Sequence, residues 1–156
     1  SGGITPTSLM YYIHGGILDL CAKNPSWDPH LKRPIKEYVR EAFDKKWQFL
    51  APGAEQEPKV MFAVGGNFLR RARCTNVLME NFLPKLRLLV SIDWRWNATA
   101  LYADLVLPAC GWYEKTSTFM MGMPVQPFVH VVNQATEPLY ESMGECKMFC
   151  LLARKV

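Results

Sequence analysis

The stretch Val60-Met61-Phe62-Ala63-Val64-Gly65-Gly66-Asn67 decides how this chain is read. An apolar run stops abruptly at two glycines and an asparagine. A second run, Leu88-Leu89-Val90-Ser91-Ile92, stops at Asp93-Trp94-Arg95. A third, Leu105-Val106-Leu107, stops at Pro108. Apolar runs without polar alternation predict strands buried on both faces. The segments between them are long enough to cross back over a sheet, so the strands are expected to be parallel and neighbouring, with right-handed crossovers and helices on both faces. Ligands in such units sit outside the carboxyl ends of the strands. Gly65-Gly66-Asn67 and Asp93 fall at those ends, which predicts a nucleotide-shaped pocket there.

Working outward, Asn76–Leu83 reads as the crossover helix, with Leu78/Phe82 and Met79/Leu83 paired four apart and Pro84 closing it. Asn97 can cap a short helix reaching Tyr102. The third strand is expected from Asp104 to Pro108. Beyond it come Trp112-Tyr113-Glu114-Lys115, then a loop through Met123, then a strand candidate at Phe128–Val132. Ser142-x-x-Glu145 resembles a capping box. Cys146, Phe149, Cys150 and Ala153 form the expected buried face of a last helix.

Upstream, Leu9, Tyr12, Ile13, Gly16, Ile17 and Leu20 recur as a helical apolar stripe. Gly15-Gly16 predicts a break or a close approach there. His14 lies off the stripe, and its expected place is the surface or a partner contact, with ligand contact as the alternative. Asn24–Arg33 reads as a loop. Pro34 suits a first helical position. Ile35, Tyr38, Val39, Ala42 and Phe43 predict an amphipathic helix ending near Lys45–Gln48. Ala51–Pro58 is a turn-rich linker. The expected organisation is a helical lead-in and linker over 1–58 and an α/β cofactor-binding domain over 59–156.

A chain of 156 residues with 49% hydrophobic and 21% charged residues suits one globular domain. A net charge of +4 is too small to argue for nucleic acid without a clustered basic face. No apolar run approaches the roughly 20 residues needed to span a bilayer. The chain begins with Ser1 and shows no signal-peptide layout, as a stretch cut from a longer protein would. Its five cysteines are scattered and include no Cys-x-x-Cys pair, which fits neither a disulfide framework nor a zinc or iron–sulfur ligand set. Cys146 and Cys150 are expected to be core residues. His14, His30 and His130 do not make a metal set.

Each candidate has two readings. Gly65-Gly66 lets a ligand approach the backbone and its N–H groups, or makes an ordinary tight turn. Arg70, Arg71 and Arg73 could neutralise a pyrophosphate or form a solvated face. Asp93 could accept from the N1–H and exocyclic amine of guanine, or cap a turn. No general acid–base pair stands out, so the residues alone describe a nucleotide-cofactor-binding module without its own catalytic centre.

The run Ser91-Ile-Asp93-Trp-Arg-Trp-Asn97-Ala-Thr99-Ala-Leu-Tyr-Ala-Asp104-Leu-Val-Leu-Pro108-Ala, then Trp112-Tyr-Glu-Lys115 and Pro127-Phe-Val-His130, resembles the molybdopterin oxidoreductases of the dimethyl sulfoxide reductase family. Trp-Tyr-Glu-Lys and Pro-Phe-Val-His narrow the likeness to the branch of respiratory nitrate, selenate and (per)chlorate reductases and ethylbenzene and dimethyl sulfide dehydrogenases. Gly65–Arg73 and Tyr12–Gly16 are most similar to the dehydrogenase side. The resemblance implies a three-layer, Rossmann-like α/β fragment of a larger multidomain catalytic subunit carrying molybdenum bis(molybdopterin guanine dinucleotide). This segment would hold a guanosine diphosphate arm through Gly65, Gly66, Asn67, Asp93 and Thr99, with Phe68, Trp94 and Asp104 completing the cofactor-binding set. No catalytic or metal-ligating residue is assigned within it, and the parent's iron–sulfur cluster lies outside the segment. The implied partners are an iron–sulfur electron-transfer β subunit, a heme or membrane-anchor γ subunit and a small-molecule substrate. The implied location is periplasmic or membrane-associated, with the cytoplasmic side of the membrane as the alternative. A stand-alone guanine-nucleotide-binding or interaction module without redox activity is the competing expectation.

Overall fold

A computed structural model describes residues 6–23, 30–47, 55–120 and 129–156. Two compact units make up the chain. The first takes the described residues of Ser1–Met61 and Phe68–Leu89, and the second those of Phe62–Asn67 and Val90–Val156.

A three-stranded sheet runs in the order β1-β2-β3: β1 is Val60–Val64, β2 Leu88–Asp93 and β3 Leu105–Pro108. Lys59 O accepts from the N–H groups of Arg87 and Leu88, and Gly65 N donates to Ile92 O, so β1 runs parallel to β2. β2 and β3 are parallel, with Val90 opposite Leu105 and Asp93 opposite Pro108. The α/β class read from the three apolar runs is therefore the fold. Within this sheet, burial on both faces is found only in β2, where Leu89 through Ile92 are all buried. In β1 and β3 that expectation fails: Val60 is 50% exposed and Leu105 45%. Each of these strands has a single neighbour in the sheet, so its apolar side chains lack the cover that encloses the central strand.

In the first unit, α1 (Pro6–His14) and α2 (Ile17–Ala22) are broken at Gly15-Gly16, where Gly16 takes φ +76°. This is the break expected from the paired glycines. The buried face differs from the expected stripe. Tyr11, His14, Gly15 and Ile17 are buried, whereas Tyr12, Ile13 and Gly16 are half-buried and Leu20 is exposed. Gly15 explains the rotation, because a Cβ there would stand 2.5 Å from Leu78 Cδ2. Close approach at Gly15 carries His14 inward to 4% exposure, which corrects the surface assignment. The His14 carbonyl also accepts from Lys85 Nζ at 3.2 Å. The core of this unit is Tyr11, Ile17, Leu78 and Phe82, with Tyr11 edge-on to Phe82 at 5.7 Å.

Helix α3 spans Ile35–Asp44, with Pro34 one position earlier than expected, at the N-cap. Helix α4 is Phe68–Arg71, and the crossover helix α5 is Thr75–Asn81, followed by a 3₁₀ turn at Leu83–Lys85 that contains Pro84.

In the second unit, α6 (Ala98–Leu101) starts at the expected Asn97 cap. The stretch from Ser117 contains a strand rather than only a loop: β4 (Ser117–Met120) pairs antiparallel with β5 (Val129–Val132). Val129–Val132 matches the predicted strand, and Phe128 lies outside the described residues. Helix α7 (Glu145–Ala153) has Gly144 at its N-cap, so the Ser142/Glu145 capping box is not formed. Ser142 Oγ instead donates to Leu139 O at 2.7 Å, and the Glu145 carboxylate takes Lys115 Nζ at 2.5 Å. The expected buried face of α7 is also corrected. Cys146, Phe149, Cys150 and Ala153 are all exposed, although Phe149 meets Phe62 edge-on at 5.6 Å. Apolar residues at helical spacing mark a face that wants cover, and among the described residues Phe62 is the aromatic ring that meets it. All five cysteines are free thiols.

Candidate functional site

The carboxyl ends of β1 and β2 meet in the second unit. Gly65 leaves β1 with φ +59°, a left-handed turn that glycine adopts without steric cost. Its N–H donates to Ile92 O at 2.8 Å, which ties the turn to the end of β2. A Cβ at Gly65 would meet nothing within 4 Å, so the space over this backbone is open. Two residues on, the Asn67 side-chain oxygen accepts from Thr99 Oγ1 at 3.1 Å. Thr99 is fully buried, so the bond fixes the Gly65-Gly66-Asn67 turn to the first turn of α6.

Asp93 ends β2 half-buried, and its carboxylate builds the next turn. Oδ1 accepts from the backbone N–H of Trp94 at 2.8 Å and of Arg95 at 3.3 Å. Oδ2 accepts from Asn97 Nδ2 at 2.7 Å. Asn97 Oδ1 in turn accepts from Ala100 N at 3.1 Å, capping α6. Asp93 thus caps the turn that follows β2. Even so, a carboxylate offers about four acceptor positions, and one on Oδ2 is left over. Trp94 stands exposed beside it, with the Arg95 guanidinium 4.8 Å from its ring centre.

Gly65, Gly66, Asn67, Asp93, Trp94 and Thr99 are brought to the strand ends together. Phe68 and Asp104 are not. The Phe68 ring stacks on Tyr11 at 5.8 Å in the core of the first unit. Asp104 precedes β3, four residues before the Pro108 that pairs with Asp93. At about 3.3 Å per strand residue that is roughly 13 Å from the carboxyl end. Arg70, Arg71 and Arg73 are exposed and belong to the first unit. Asn97 is the participant that sequence reasoning undervalued. Its cap was legible, but its bond to Asp93 four residues back was not.

A cavity of about 600 Å³ lies in the first unit, against α2, α3 and α5, where Lys36 pairs with Asp19. None of the strand-end residues lines it. Among the described residues no group of three His, Cys, Asp or Glu is placed to hold a metal ion, and no helix is long and apolar enough to cross a membrane.

The arrangement can present backbone to an anion at an open glycine turn and one carboxylate acceptor to a neutral donor edge. The family model for molybdopterin oxidoreductases matches residues 40–155. The chain is 36% identical to the respiratory nitrate reductase subunit alpha of Haloferax mediterranei, over 97% of this chain and 15% of that one. It is 32% identical to the perchlorate reductase subunit alpha of Dechloromonas aromatica, over 96% of this chain and 15% of that one. The solved structure of acetylene hydratase from Pelobacter acetylenicus superposes with a TM-score of 0.53 at 27% identity, covering 62% of this chain and 13% of that one. The chain therefore spans about 15% of the length of the curated relatives it matches.

Proposed function

The chain belongs to the molybdopterin oxidoreductase family, and on that premise we propose that it is part of the catalytic subunit of a molybdenum bis(guanine dinucleotide) oxidoreductase. In this reading the segment binds a guanosine diphosphate arm of the cofactor at the carboxyl ends of β1 and β2. When bound, the cofactor supplies two-electron chemistry at molybdenum. The residues of this segment bind and orient the arm.

One observation carries the reading: the glycine turn after β1 and the carboxylate after β2 are held at adjacent strand ends, through Gly65 N to Ile92 O and Asn67 to Thr99. The open backbone at Gly65 fits a diphosphate, and the remaining acceptor position on Asp93 Oδ2 fits a donor on the base edge. The parent protein is then a respiratory reductase or a hydroxylating dehydrogenase. It works with an iron–sulfur β subunit and a heme or membrane-anchor γ subunit, in the periplasm or at the membrane. Matches to proteins named as alpha subunits support a multisubunit assembly.

Acid hydrolysis of the purified full-length protein, with metal analysis on the same sample, tests the proposal. Guanosine monophosphate is expected in twice the molar amount of molybdenum. Absence of guanine nucleotide, or another nucleotide in its place, would overturn it.

A further inference from the structure

We propose that Asn97 is a positioning residue that aims the Asp93 carboxylate at a guanine edge. The inference rests on the reading that a guanine arm docks at the end of β2. The two ends of the Asn97 amide do different jobs. Nδ2 donates to Asp93 Oδ2 at 2.7 Å, and Oδ1 accepts from Ala100 N at 3.1 Å. Exchanging the two atoms would set donor against donor at Ala100 and acceptor against acceptor at Asp93, so the partners fix the orientation.

Two of the three donors on the carboxylate are backbone N–H groups of Trp94 and Arg95, both on Oδ1. Among the described residues, Asn97 is the only side chain holding Asp93. The terminal torsion of an aspartate is broad, and a bond on each oxygen restricts it. Asn97 thereby leaves one open position on Oδ2, next to its own amide. A base edge with two neighbouring donors takes that position and displaces the 3.3 Å Arg95 contact from Oδ1. Adenine has no such pair of donors, so the clamp is a specificity device as well as a support.

Substitution separates the two jobs, because serine and aspartate also cap helices well while neither supplies the Asn97 amide donor. Cofactor-free full-length protein is titrated calorimetrically with GDP and with ADP, and melting temperature is measured alongside. Asn97→Ser is expected to weaken GDP binding about tenfold, a loss of one decade in Kd, with ADP binding unchanged and only a small fall in melting temperature that Asn97→Asp does not reverse. Asn97→Asp is expected to weaken GDP at least as much, since it places a second carboxylate beside Asp93. Unchanged GDP affinity in Asn97→Ser overturns the inference. If Asn97→Ser lowers GDP affinity and melting temperature together and Asn97→Asp restores both, Asn97 is only a helix cap and the inference is again overturned. Asp93→Asn is run in parallel. Wild-type GDP affinity in that variant removes the guanine reading itself, whereas an effect there with none at Asn97 removes only the present proposal.

Discussion

Replacing Asp93 by Asn should destabilise the second unit, because the turn after β2 is built on both carboxylate oxygens. The replacement keeps an oxygen for the Trp94 and Arg95 N–H groups but turns an NH₂ toward Asn97 Nδ2, now 2.7 Å from Oδ2. Two donors cannot share that position. The least costly escape is rotation of the Asn97 amide, which withdraws its oxygen from Ala100 N and uncaps α6. A lost N-cap costs about 1 kcal/mol. Removing the charge from two backbone hydrogen bonds at a half-buried site brings the total to about 1–2 kcal/mol. A chain of this size loses roughly 2–4 °C of melting temperature per kcal/mol, so a fall of about 2–8 °C is expected. Scanning calorimetry on this 156-residue chain reads this directly. A melting temperature within about 1 °C of the parent would show that the carboxylate does not hold the turn.

Thr99→Val removes the hydroxyl that donates to Asn67 from a fully buried site and should cost about 1–2 kcal/mol, seen as a lower denaturation midpoint. Gly15→Ala should cost about 1–3 kcal/mol by overpacking, since the new Cβ would stand 2.5 Å from both Leu78 Cδ2 and the Tyr11 carbonyl oxygen. Gly65→Ala meets no atom and should lose only about 1–2 kcal/mol of left-handed backbone strain. Urea unfolding of the two glycine variants compares them, and a milder effect at Gly15 would contradict the packing argument. Among the described residues the buried Tyr11 hydroxyl has no hydrogen-bond partner, so Tyr11→Phe should be neutral or stabilising by up to about 1 kcal/mol. Burial raises the Tyr11 phenol to about 12 from 10.0, so the folded state holds this proton where the unfolded chain has lost it. That part of the stability is complete below pH 10 and declines as pH rises toward 12. The decline should be weaker in Tyr11→Phe, as pH-dependent unfolding would reveal.

Much of this architecture was legible because it rests on local pattern. The central strand announces itself as an unbroken apolar run, Asn97 as a cap, and Gly15-Gly16 as a break. Other features depend on what lies across from a residue. The buried face of α1 was misplaced because Gly15 lets Leu78 approach, and a missing Cβ carries no hydropathy signal. The strand Ser117–Met120 carries no local signal of its own, because its partner is the distant Val129–Val132. The α7 stripe was read correctly as apolar, but composition cannot say whether anything covers it. At the strand ends, spacing put Asp93 in the right place. It could not show that Trp94, Arg95 and Asn97 already occupy three of its acceptor positions.

The way the two units share the chain has a consequence for synthesis on the ribosome. Emergence of Met61 does not complete the first unit, which still needs Phe68–Leu89. The glycine turn in Phe62–Asn67 must wait for the second unit, which begins again only at Val90. At about 5–20 residues per second, the intervening stretch delays closure by a second or more. During that interval Val60, Phe62 and Val64 have no β2 to pair with. The nascent chain therefore passes through a stage in which an apolar strand is unpaired, and a chaperone that binds extended apolar segments would find its target there before Asp93 has emerged.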